Sequence, residues 1–82
     1  MKENAILRRR FNQKGFDMIS EFIRSIKSEV TQESWGKVLY RDKTVSTELF
    51  LRMASELGCS KKEIHRMLLA RGEKAIAKLI GE

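Results

Sequence analysis

Apolar positions along this chain fall into helical rather than strand spacing, and glycines interrupt the pattern. Leu49, Phe50, Met53, Ala54 and Leu57 recur at i, i+1, i+4, i+5 and i+8, which places them on one face of a helix. Gly58 follows, where a glycine can take the left-handed conformation that closes a helix without steric cost. Ser60 and Glu63 then have the spacing of a capping box, so a second helix is predicted to begin almost at once, with Ile64, Met67 and Leu68 facing inward. Phe50–Leu69 therefore reads as two short helices joined by a tight turn.

Upstream, Ala5, Ile6, Leu7 and Phe11 alternate with Arg8, Arg9, Arg10 and Lys14, giving a helix with an apolar and a basic side that Asn4 could cap. Gly15 either kinks this helix or separates it from the next. Phe16, Ile19, Phe22, Ile23, Ile26 and Val30 continue at helical spacing and predict an amphipathic helix over 16–30. Residues 31–47 are ambiguous. A helix around Trp35 to Tyr40 is slightly favoured over a β-hairpin whose turn, Arg41 to Lys43, would act as a phosphate-touching wing. After Leu69, Gly72 is placed to stop the second helix. Ala75, Ile76, Leu79 and Ile80 predict a short last helix over 73–80 covering the core, stopped by Gly81. The expected fold is all-α, a single domain over 1–82, with residues 46–71 as its central helical pair.

The central stretch resembles the helix-turn-helix of bacterial and phage DNA-binding proteins. That family has a small residue inside the first helix, glycine at the turn and a branched aliphatic early in the second, and Ala54, Gly58 and Ile64 stand at those places. Met53, Leu57, Cys59 and Met67 fill the apolar positions between them. The match covers about a quarter of the chain. It implies a DNA-binding regulator that blocks or recruits polymerase by occupying an operator. It also implies a homodimer, because one reading helix spans too few base pairs.

Composition limits the alternatives. With 82 residues there is room for one domain but not for a core that also encloses a deep substrate cavity. The hydrophobic share of 41% with no proline suits a folded helical chain. The single Cys59 excludes an internal disulfide and reads as a small buried hydrophobe in a reducing compartment. No apolar run has membrane-spanning length and no signal segment is visible, so a cytoplasmic location and no membrane partner are expected. The one histidine, His65, has no metal-ligand companions. Phosphate-loop and serine-elbow motifs are missing, and Glu56, Glu63 and Glu73 sit at helix-surface spacing. The expectation is a protein that is not an enzyme and has no cofactor.

Net charge is +6, and its distribution carries more information than its total. Residues 1–14 balance five Lys/Arg against Glu3, giving +4; residues 15–40 come to −1, residues 41–60 to zero and residues 61–82 to +3. Basic ends around a near-neutral middle suit a polyanion partner, double-stranded DNA first and RNA as an alternative. On the second central helix, Lys61, Lys62, His65 and Arg66 face outward, with Leu69 beside them. Arg66 suits a bidentate contact to guanine and His65 a donor to a base edge, while Lys61, Lys62 and Ser60 suit phosphate oxygens. Arg8, Arg9 and Arg10 resemble the basic arms that supplement such domains. The Phe16 to Val30 stripe is expected either to complete the core or, preferably, to form the dimer. In a competing reading, the chain is a small helical adaptor or phage-encoded inhibitor that binds a host protein through that stripe.

Overall fold

The computed structural model describes residues 2–80, which form six α-helices and no strand. These are α1 (Lys2–Gln13), α2 (Ile19–Ile26), α3 (Gln32–Leu39), α4 (Thr47–Glu56), α5 (Lys61–Ala70) and α6 (Lys74–Ile80). The stop expected at Gly81 lies outside the described residues. No helix among the described residues is long and apolar enough to cross a membrane.

Gly15 separates α1 from α2 rather than kinking one helix. Its φ of 78° lies in the left-handed region, and the N–H groups of Lys14 and Gly15 turn back to the carbonyls of Phe11 and Asn12. The helix expected over 16–30 is shorter than its apolar spacing suggests, because it ends at Ile26 and Lys27 takes φ 52°. Val30 is nevertheless buried, since the turn beyond Lys27 carries it back into the core. Periodicity recorded which residues are inside but not that two elements supply them.

Phe22 is the centre of that core. Its ring meets those of Phe11, Phe16 and Trp35 edge-on, with centroids 5.2, 5.6 and 5.1 Å away, a geometry that suits the ring quadrupoles. Leu7 and Phe11 of α1, Ile19 and Phe22 of α2, and Trp35, Val38 and Leu39 of α3 are buried together with Phe50, Met53, Ala54 and Leu57. The Phe16 to Val30 stripe is thus packed within the chain, with Ile23 and Ile26 partly buried against the same cluster.

Gln32–Leu39 settles as a helix. Thr31 caps α3, its hydroxyl accepting from the N–H of Ser34 at 3.2 Å. The segment from Tyr40 to Ser46 contains no strand, so the wing expected of Arg41 to Lys43 is not formed as a β-hairpin. Asp42 instead takes φ 53° and anchors α1. Asn4 Nδ2 donates to Asp42 Oδ1 and to the Lys43 carbonyl, each at 3.0 Å, and Arg8 Nη1 lies 2.8 Å from the same carboxylate.

Trp35 Nε1 donates to Ser28 Oγ at 3.0 Å, and Ser28 in turn donates to the Glu56 carboxylate, which also accepts from the Glu29 N–H at 3.1 Å. One hydrogen-bonded chain therefore ties the α2–α3 turn to the end of α4. At the other end, Arg71 is buried with its guanidinium 4.9 Å above the Phe50 ring. Its Nη2 donates to the Val45 carbonyl at 2.6 Å. Glu73 accepts from Thr47 Oγ1 and lies 3.6 Å from Arg71 Nε. This clasp fixes the α5–α6 turn onto the start of α4.

The last helix buries a different face from the one expected. Ala77 is the fully buried residue and Ile76 packs against the core, whereas Ala75 is exposed and Leu79 is 86% exposed. α6 has apolar side chains nearly all round, so spacing alone cannot choose its inner face. The turn at Gly72 (φ 81°) and the Arg71 clasp make that choice.

Candidate nucleic-acid interface

The turn between α4 and α5 has the backbone and the cap expected of it. Gly58 takes φ 73°, and both halves of the capping box form: the Glu63 N–H donates to Ser60 Oγ at 3.2 Å, and the Ser60 N–H to Glu63 Oε1 at 2.9 Å. Ala54, Met53, Leu57 and Met67 are buried, while Ile64 and Cys59 are half-buried against the core. Burial pushes the Cys59 thiol up, which keeps it in the unreactive neutral form.

Glu63 does more than cap. Arg10 grips its carboxylate through Nε, 3.1 Å from both oxygens, and through Nη2, and Arg9 Nη2 stands 3.3 Å away. The hydrogen bonds from Arg10, followed by those from the Ser60 N–H, hold the carboxyl down to about 2. The same contact raises Arg10 above its ordinary value. The first turn of α5 is thereby locked onto α1, against which it packs closely.

Each sequence-predicted residue has a definite place. Lys61, Lys62 and Arg66 are exposed on α5, with Lys62 and Arg66 one turn apart on a strip that Leu69, 45% exposed, continues. His65 is half-buried at the edge of the strip. Its Nδ1 lies 3.0 Å from the Ala77 carbonyl and donates to it, so only Nε2 is left for any other partner. The Ser60 hydroxyl is occupied as the cap. Arg8, Arg9 and Arg10 lie on the docked helix α1 rather than on a free arm, Arg8 on Asp42 and the other two on Glu63. Arg9 keeps the most exposure of the three, 58% of its side chain.

The structure adds neighbours that the sequence reading did not assign to this face. Lys14 follows α1 beside the start of α5, and Lys74 and Lys78 are exposed on α6, which packs along the other flank. The acids described on this side, Glu63 and Glu73, are both held in ion pairs. Elsewhere the surface is mixed: Asp17, Glu21, Glu29, Glu33 and Glu48 are exposed, as are Arg24, Lys27, Lys37, Arg41, Lys43 and Arg52. Alternation of helix and turn in the sequence could have shown that two chain ends meet only if α1 and α5 were known to pack together.

A second helical pair also emerges. In α2–α3, Lys27 takes the left-handed position, Thr31 caps, and Gln32, Glu33, Lys37 and Tyr40 are exposed on the second helix. The signal was available in the Thr31–Ser34 spacing, but Lys27 in place of glycine hid the turn. Among the described residues no group of three or more His, Cys, Asp or Glu could hold a metal ion. Comparison with protein-family models, with curated proteins and with solved structures finds no match to this chain.

Proposed function

We propose that the chain is a sequence-specific DNA-binding regulator of helix-turn-helix type, acting by operator occupancy, with α5 as the helix that approaches the duplex. The observation that carries this reading is the one-sided charge: Lys61, Lys62 and Arg66 stand exposed between Lys14 and Arg9 on one flank and Lys74 and Lys78 on the other. A strip of cations with its acids internally paired is the footprint of a phosphate backbone. Arg66, a turn beyond Lys62, is the candidate reader of a base edge, and the lysines position the helix. A homodimer remains part of the reading, but its contact must use a surface other than the packed Phe16 to Val30 stripe.

A second placement of the reading helix rests on a different observation. The first turn of α3 also exposes two polar residues, Gln32 and Glu33, and α3 rests on α1 and α2 as α5 rests on α1 and α6. Gln32 has the amide group that pairs with adenine, and Lys37 and Arg41 would meet phosphates.

The test is fluorescence anisotropy with random duplex DNA, duplex RNA and single strands at two salt concentrations, followed by selection of a preferred duplex. Neutralising about six phosphates makes affinity for duplex DNA fall about a thousandfold between low and moderately high salt. On the selected site Arg66→Ala relaxes specificity, while Lys62→Ala weakens all sequences alike. An affinity without salt slope removes the nucleic-acid reading. A stronger response to RNA or to single strands moves it to another nucleic acid.

A further inference from the structure

Beside the basic strip, α5 and α6 diverge to leave a notch of about 490 Å³ lined by His65, Leu69, Lys74, Ala75, Ala77 and Lys78. Its floor is largely apolar and its rim is cationic, with no carboxylate among its lining residues. On α6, Leu79 lies one turn beyond Ala75 and next to Lys78, so its 86% exposed side chain extends the same apolar face outward. Among the described residues Leu69 and Leu79 are two of the four large hydrophobic residues that stand exposed; Leu69 lines the notch, and Leu79 follows its rim residue Lys78. Exposed large apolar side chains edged with polar groups mark contact surfaces.

From this arrangement we infer that the α5–α6 notch receives an acidic, amphipathic segment of another protein, its apolar anchor seated on Leu69 and Ala75 and its carboxylates on Lys74 and Lys78. Charge selects the occupant. A second copy would bring its own Lys74 and Lys78 against the same cations, whereas an acidic segment meets them with opposite sign. Nucleic acid supplies negative charge but no large aliphatic group to cover Leu69 and Leu79. A helical segment with apolar residues at i and i+4 supplies both, because those residues share one face and the intervening positions can carry acids on its flanks. The inference shares Lys74 and Lys78 with the flank of the basic strip, and it is told apart from the DNA reading at Lys62 and Arg66, which do not line the notch.

The experiment uses the full chain and a labelled synthetic helical peptide with leucines at i and i+4 and glutamates at its flanking positions. The expected result is saturable binding. It weakens about tenfold on Lys74→Glu with Lys78→Glu and on Leu69→Asp, and is unchanged by Lys37→Glu on α3, outside the notch lining. All four substitutions are at exposed positions, and far-UV circular dichroism and melting confirm that each variant folds. Three results overturn the inference. In the first, no binding is seen, or a control peptide with alanines for the leucines binds equally well. In the second, binding is indifferent to the Lys74/Lys78 reversal. In the third, sedimentation shows a homodimer that Leu79→Asp dissociates, which assigns the notch to a second copy. Loss of duplex DNA binding in Lys62→Glu with Arg66→Glu, with peptide binding retained, keeps the two surfaces distinct.

Discussion

The α2–α3 and α4–α5 pairs solve the same backbone problem with different chemistry. Each is a short helix, a left-handed residue and a side-chain cap opening a second short helix, Lys27 and Thr31 in one and Gly58 and Ser60 in the other. Their surroundings differ. The second helix of the first pair carries Glu33 beside Lys37 on a mixed surface, whereas that of the second pair carries Lys61, Lys62 and Arg66 on a surface whose described acids are neutralised internally. A bend between two helices is therefore a packing device that this chain uses twice, and the field around it separates a candidate phosphate-binding pair from its neighbour. Enclosure does not separate them, since each second helix packs against two others, α3 on α1 and α2 and α5 on α1 and α6.

The largest expected effect tests whether the pairs are separable at all. Trp35 is fully buried, edge-on to Phe22 and hydrogen-bonded to the Ser28–Glu56 chain that reaches α4. Trp35→Ala should destabilise the protein by about 3–5 kcal/mol in a single cooperative transition. A two-step denaturant curve, with helical signal surviving the first step, would show that the pairs are independent units.

Charge reversal sharpens the comparison next. Lys62→Glu with Arg66→Glu should lower affinity for duplex DNA by about ten- to a hundredfold at moderate salt and flatten the salt slope. Lys37→Glu with Arg41→Glu should change it by less than about threefold. If anisotropy titrations give the reverse order, α3 rather than α5 is the helix that meets DNA.

Glu63 links α5 to α1, and its low pKa makes the link pH-dependent. The folded carboxyl titrates at about 2, below its ordinary unfolded value. The stabilisation is therefore complete above about pH 5 and is lost as pH falls toward the folded value. Glu63→Gln keeps the shape but removes the charge, so it should cost about 1 kcal/mol at neutral pH. Parallel urea melts of the two proteins should converge near the acid end of that window. A gap that stays constant with pH would mean that the ion pair with Arg10 adds nothing to the cap.

The smallest effects have opposite signs. Gly58→Ala introduces a side chain that meets no neighbour within 4 Å, so its penalty is conformational and amounts to about 1 kcal/mol. Lys27→Gly relieves the left-handed strain and should gain about 0.5 kcal/mol, the remainder being offset by a freer unfolded chain. Thermal melts that shift in the same direction for both variants would mean that the two turns are not equivalent.

Local rules in the sequence determined most of the helical scaffold: the turn at Gly58, the Ser60–Glu63 box, the stop at Gly72 and the inward set Met53, Ala54, Leu57 and Met67, while Gly15 was legible as an interruption but not as a break. Each depends on neighbours within one or two turns, where backbone sterics and helical period act directly. The tertiary structure decided what depends on distant partners. It put Glu63 under Arg10 and Arg9, tied His65 to the Ala77 carbonyl, folded Arg8 onto Asp42 and made Arg71 a buried clasp rather than a surface cation. It also chose Ala77 over Leu79 as the inner face of a helix that is apolar nearly all round. Spacing counts residues along the chain, whereas charge neutralisation and the choice of a buried face depend on which helices meet in space, as Arg10 and Glu63 do at a separation of 53.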